Sequence, residues 1–550
     1  MGDVDYKSQV ARVESYLDRD EHAKARHELE AMLQLPPPGK ERTRALWDAK
    51  LAGFLIDVGF GSKDESMIRR GLDWHLSSLE VWAKHITRSS LEYNIGNAFK
   101  DLYDLDCAMN PRPFRVDKIA LLTEAKSHYW RAYKTNVAGL QADMCVNLGN
   151  CLNASGRVVE SLHWCNEALR IQPNFEMAWV NKAKSLVFLN RISGTFSIKQ
   201  IKLAIDLFQK ALASQRLSPN VAVEVRYELS RLEAWLEKLV QRGRRTEASE
   251  ESASESELTP YRRFCIRNGL ALSEHGLYCP CSAAASDDLV IPLSSTSIGG
   301  AFVPRMQLLA NRLKAEFSLA RLAYYHATQA PKAHSWPTEP YDVLLTELDE
   351  GEAVGTEAEL LRMSFRLCFG ILDKIAWGVC DLFGLRSLNE EVYFERFWKS
   401  PKAPDRWKRI NEIQNLPLVA LYSIATDLNA RSGEWGEFKA WRNGLEHELF
   451  IVADRPDLAR QFQDLFGEGR SIPIVSLDDF IEHTLHLLQL TASAIFCFIY
   501  CVRVEGAKAL EARPSGSLDP EMEGASRGQI RVTFNHKRKK TRTRYMRSSR

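Results

Sequence analysis

The chain has 550 residues, of which 45% are hydrophobic and 26% charged, with 73 Lys and Arg against 71 Asp and Glu. That length suits two or three domains with real cores, and a net charge of +2 excludes a globally basic surface, so affinity for nucleic acid must come from local patches. The eleven cysteines lack paired spacing and the opening MGDVDYKSQVARVESYL lacks the pattern of a secretory leader, so reduced core thiols and a cytoplasmic setting are expected.

Near the start, AKARHELEAML and LWDAKLAGFLIDVG read as a degenerate pair of helices. YNIGNAF, from Tyr93 to Phe99, and EAKSHYWRAYKTN, with Ala125, Tyr129 and Ala132, form a clearer pair, interrupted by the insertion DLYDLDCAMNPRPFRVDKIA. The best register comes next. With Ala142 as position 1, Leu148, Gly149, Leu152, Gly156, Ala168 and Pro173 fall at positions 7, 8, 11, 15, 27 and 32, the pattern of the 34-residue tetratricopeptide repeat. Cys145, Val158, Ser161 and Cys165 fill other key positions with small or apolar side chains. Trp179, Ala183 and Leu186 restart the pattern, and Ala204, Phe208 and Ala211 continue it beyond a second insertion, RISGTFSIKQ. Residues 1–240 are therefore expected to form a solenoid of helix pairs, each burying its apolar face on the next and presenting a surface for a protein or peptide ligand.

Residues 241–260, QRGRRTEASEESASESELTP, are poor in apolar side chains and read as a flexible linker. Residues 261–350 are expected to connect the repeats to the C-terminal part of the chain. They contain Cys265, His275, Cys279 and Cys281. Structural zinc sites favour two matched C-x2-4-C pairs, whereas this is a single C-x-C, so no metal and no other cofactor is expected.

From residue 351 to 505 the periodicity predicts a bundle. Leu361, Ser364, Cys368, Ile371 and Ile375 lie at helical spacing on a Pro-free run of about seven turns. NEIQNLPLVALYSIATDLNA gives a second helix, and LDDFIEHTLHLLQLTASAIFCFIYCVRVE closes the bundle. Thr484 to Val502 carries no Asp, Glu, Lys or Arg and approaches membrane-spanning length, but His486, Gln489, Thr491 and Ser493 favour a buried bundle helix.

The stretch EWGEFKAWRNGLEHELF carries the chemistry. Phe438, Trp441, Leu445 and Leu449 fall on one helical stripe. Arg442 lies beside it, and His447, five residues on, is about 140° around the helix. A neutral imidazole can move a proton to or from a ribose oxygen, and a guanidinium grips phosphate oxygens in a fork. The pair suits metal-free RNA cleavage. Because one helix face cannot hold both, a site completed by a second copy is expected, unless Gly444 loosens the helix.

The Arg442-x4-His447 spacing on the third helix of a bundle, with GILDKIAW upstream and a repeat array before it, resembles the R-x4-6-H motif of the HEPN family, in its branch fused to tetratricopeptide repeats. The resemblance implies an all-α protein: a repeat solenoid followed by a four- to five-helix HEPN bundle that cuts RNA without a metal, its motif paired across a homodimer. Arg442 and His447 would be catalytic, Asn443 and Glu446 supporting. Asp373 and Asp427, on the two preceding helices, are the candidate acids for meeting Arg442, although Asp373 projects to the far side of the stripe set by Ser364, Cys368, Ile371 and Ile375 and an Asp in a helix is usually a solvated face residue. A role as a toxin or antiphage effector is also implied. Residues 506–550 form a basic tail in which Lys537, Arg538, Lys539, Lys540, Arg542 and Arg544 are candidate RNA contacts. The competing expectation is a non-catalytic interaction or dimerisation protein built on the same two parts.

Overall fold

A computed structural model describes residues 6–110, 116–135, 141–194, 197–214, 216–241, 258–279, 281–291, 302–329, 353, 355–387, 390–399, 401, 403–429, 433–464 and 472–511. The expected basic tail therefore lies outside the described residues beyond 511, as does most of the expected linker.

Among the described residues the first eleven α-helices are α1 (Tyr6–Asp18), α2 (His22–Met32), α3 (Glu41–Gly61), α4 (Glu65–Trp82), α5 (Arg88–Met109), α6 (Ile119–Lys134), α7 (Gln141–Ala154), α8 (Val158–Ile171), α9 (Glu176–Ile192), α10 (Ile198–Ala213) and α11 (Pro219–Gln241). They pack as successive pairs, α1 on α2, α3 on α4, and so on to α9 on α10. The early pair differs from expectation: LWDAKLAGFLIDVG lies in α3, whose main partner is α4 rather than the preceding helix. The reason is local. Asp64 caps α4 by accepting from the amides of Ser66 (3.1 Å) and Met67 (3.3 Å), and Gly71 lets α4 lie so close to α3 that a Cβ there would sit 2.6 Å from the Ala52 carbonyl. In the α7–α8 pair, Gly149 faces Cys165 and Ser161 across the helix contact. Gly156 turns the chain with φ +84, a conformation that L side chains rarely adopt.

The remaining helices are α12 (Pro260–Arg267), α13 (Phe302–Thr328), α14 (Thr356–Phe383), α15 (Arg406–Glu412), α16 (Leu416–Asp427), α17 (Glu437–His447), α18 (Pro456–Asp464) and α19 (Leu477–Glu511). The bundle is larger than the span 351–505. Helix α13, in the segment assigned to a connector, packs along α14 and α19. Gly378 of α14 makes that approach possible, since a Cβ there would lie 2.5 Å from Leu309 of α13 and 2.8 Å from Phe498 of α19. At the other end α19 continues to Glu511.

Helix α19 is the axis of the bundle. It is long and apolar enough to cross a membrane, but 83% of its apolar window is buried inside the protein. Its two threonine hydroxyls turn inward on their own helix, Thr484 to the Phe480 carbonyl and Thr491 to that of Leu487, which satisfies them without water. The one departure from all-helical structure among the described residues is a parallel ribbon, β1 (Ile451–Ala453) beside β2 (Ile474–Ser476), with Ile451 opposite Ile474.

Repeats and bundle share a continuous core that runs from Tyr103 to Val502. Helix α16 packs on α6, and α19 on α8. Trp130 of α6 meets Trp435, just before α17, edge-on at 5.2 Å.

Candidate functional site

The aromatic stripe fixes how α17 is rotated. Phe438 is fully buried, 5.7 Å from Phe365 of α14 and edge-on to it. Trp441 lies 6.1 Å from Phe365 and 5.9 Å from Phe480 of α19. Leu445 is partly buried against the same core.

Leu449 does not continue the stripe. It is 59% exposed, because the helix ends at His447 and Glu448 is extended, with φ −136 and ψ −179. Gly444 is helical rather than a point of loosening. Its role is contact: a Cβ there would sit 3.0 Å from the Cβ of Phe450. The missing side chain lets the chain double back beneath α17 into β1.

With Trp441 turned inward, Arg442 reaches the edge of the core facing α14. Its Nη2 lies 3.8 Å from Oδ2 of Asp373, and its guanidinium carbon lies 6.0 Å from the ring centre of Phe369. Phe369 and Asp373 are four residues apart on α14, so one helical face offers both a ring and a carboxylate. Asp373 also accepts the Phe394 amide through Oδ1 at 2.9 Å. Burial pushes its carboxyl above the ordinary value, against the pull of the Phe394 amide and the Arg442 charge. The Arg442 side chain is 26% exposed, leaving part of the guanidinium open to solvent. Its ionic partner among the described residues is Asp373, not Glu446 one turn along.

Asn443, Glu446 and His447 are not buried in the bundle; all three are exposed. His447 is the last residue of α17 and, at about 100° per residue, is about 140° around from Arg442. Within one chain the two do not share a face.

Asp427 is elsewhere, which corrects the expectation that it meets Arg442. It is 5% exposed, accepts Lys126 Nζ at 2.7 Å and pairs with Arg157. Burial alone would raise its carboxyl, yet Arg157 and Lys126 hold it below the ordinary value. Both cations belong to the repeats, 301 and 270 residues upstream, and Thr123 and Thr426 hydroxyls meet beside them at 2.8 Å. Asp427 fastens bundle to array.

One feature has no counterpart among the sequence motifs. A cavity of about 710 Å³ opens between α6 and residues 390–401, lined by Tyr393, Trp398, Lys399 and Tyr422; no motif marks it, because its walls come from distant segments. His275, Cys279 and Cys281 also converge, despite spacing unlike a paired zinc motif. Cys265 is not part of that group; it is buried beside Tyr261 and Arg321.

Residues 299–505 match the model of the LA2681-like HEPN family. The match starts at α13, in keeping with the packing of that helix on α14 and α19. No curated protein matches the chain.

Proposed function

We propose that this chain, whose residues 299–505 match a HEPN family model, is a metal-independent endoribonuclease with Arg442 and His447 as its catalytic groups. The observation that carries this reading is the setting of Arg442: a guanidinium braced on one side by Asp373 and partly open on the other, on the helix whose exposed end presents His447.

The guanidinium holds the non-bridging oxygens of the scissile phosphate. The imidazole takes the proton of the ribose 2′-hydroxyl, or returns one to the departing 5′-oxygen. The 2′-oxygen forms a bond to phosphorus as the bond to the 5′-oxygen breaks, leaving a 2′,3′-cyclic phosphate and a 5′-hydroxyl. Asn443 donates to phosphate or base, and Glu446 orients the imidazole. The wide angle between Arg442 and His447 calls for two copies, each lending one group to a shared cleft, and exposed Leu449 offers apolar surface for that contact.

The repeat array binds a protein or peptide that restrains or triggers cleavage, and a role as a toxin or antiphage effector fits such control. Eleven free thiols fit a reducing cytoplasm. The experiment is incubation of the purified chain with total RNA in EDTA, beside Arg442→Ala and His447→Ala. Chelator-resistant cleavage lost in both variants supports the reading; cleavage unchanged in both removes the site.

A further inference from the structure

His275, Cys279 and Cys281 bring one imidazole nitrogen and two sulfurs within 4.8 Å of one another. Two short turns achieve this. The chain makes a 3₁₀ turn at His275–Leu277, and the Cys279 amide donates to the His275 carbonyl at 3.0 Å, which returns Cys279 to the side of His275. A second 3₁₀ turn, Ser282–Ala285, follows Cys281 at once, with the Ala284 amide on the Cys281 carbonyl at 3.0 Å. Gly276 seals one turn on the other: a Cβ there would stand 3.1 Å from the Ala284 carbonyl.

The imidazole is already aimed. Its Nε2 lies 3.0 Å from the Cys281 sulfur, while Nδ1 meets the Tyr278 hydroxyl at 3.2 Å. A partner on the far nitrogen is how proteins fix the ring of a metal-binding histidine. The imidazole meets the Cys281 thiol, which in turn meets the Cys279 thiol, so all three donors already face one point. All three side chains are half-buried, so an ion can reach them. Two thiolates and a neutral imidazole cancel a divalent charge, and this soft donor set selects zinc over magnesium or calcium.

We propose that His275, Cys279 and Cys281 bind one zinc-class divalent ion, with the fourth tetrahedral position open to water. Ligand atoms around zinc stand about 3.5 Å apart, given bonds of about 2.0–2.3 Å, so the His275–Cys281 separation opens by about half an ångström on binding. The ion pins a joint. Glu274, next to the first turn, pairs with Arg503 of α19, and Arg503 also donates to the carbonyls of Ser193 (2.7 Å) and Val290 (2.6 Å), so repeats, connector and bundle meet beside the site. This inference is independent of the nuclease reading, since it involves none of the residues assigned to cleavage.

The test uses the full chain, reduced, stripped of metal and desalted. Zinc is titrated in competition with a chromophoric chelator, and cobalt(II) is followed by absorption. One equivalent of zinc per chain is expected, with thiolate-to-cobalt charge-transfer bands and the intense visible bands of tetrahedral cobalt. Affinity should fall at least about tenfold in Cys279→Ser, Cys281→Ser and His275→Ala and stay unchanged in Cys265→Ser. Substoichiometric zinc, cobalt spectra without thiolate bands, or equal affinity in Cys279→Ser and Cys281→Ser to that of the wild type would each overturn the site. So would a Cys279–Cys281 disulfide that persists under reductant. Should a variant fail to fold, the wild-type cobalt spectrum decides alone.

Discussion

Arg442 of α17 and Asp373 of α14 face each other across the bundle at 3.8 Å, and through that contact the long buried helix aims the guanidinium. The pair is partly exposed, at 26% and 21%, and too long for a strong hydrogen bond, so it adds little to stability, about 0–1 kcal/mol. Its proposed role is positioning. Asp373→Asn is expected to lower kcat/KM for RNA by about tenfold with the melting temperature nearly unchanged. A large drop in stability with normal cleavage per folded molecule would assign Asp373 to the core instead.

The proposed sharing of the site between copies predicts complementation. Arg442→Ala and His447→Ala chains, each inactive, form a mixed dimer in which one of two clefts has both groups. With random pairing, half of the dimers are mixed, so cleavage should return to about a quarter of wild type. A mixture that stays inactive while mixed dimers are shown to form would mean that each chain builds its own site.

Asp427 predicts a structural effect of the opposite kind. Asp427→Ala leaves Lys126 buried without its carboxylate and Arg157 with Glu160 as its remaining one, and breaking such a group costs about 3–5 kcal/mol. Urea denaturation should show a loss of that size, and limited proteolysis should cut more readily between repeats and bundle. An effect below about 1 kcal/mol would contradict the role of Asp427 as a fastening between them.

Acid sensitivity arises from His486, whose ring centre lies 4.1 Å from that of Trp435 in a tilted contact and whose pKa burial lowers from 6.5 to about 3. The unfolded chain takes up a proton below 6.5 that the folded chain refuses until about 3. The stability associated with the neutral ring is therefore complete above pH 6.5 and declines as pH falls, by up to about 1.4 kcal/mol per pH unit. His75 and His163 are also lowered by burial and act in the same direction. In melts from pH 7 to 4, His486→Leu should flatten the slope by about one proton; an unchanged slope would exclude His486 as a contributor.

What the sequence made legible was periodic and local. The α7–α8 register could be read because Gly149, Gly156 and Ala168 each serve a contact or turn within one repeat. Arg442 could be placed beside the core because Phe438 and Trp441 set the rotation of α17. Leu449 misled, since the apolar period runs past a helix end that is set by the return of Phe450 beneath Gly444. Asp427 misled because its partners lie in another part of the chain. The convergence of His275, Cys279 and Cys281 was hidden for a similar reason: it depends on how two short turns stack, and spacing does not encode that.

The most direct measurement of the central claim is the chemistry of the RNA ends produced in EDTA. Catalysis by Arg442 and His447 predicts 2′,3′-cyclic phosphate and 5′-hydroxyl termini from the wild-type chain, and neither from Arg442→Ala or His447→Ala. Termini with 3′-hydroxyl and 5′-phosphate, cleavage abolished by the chelator, or the same cyclic products from His447→Ala would contradict it.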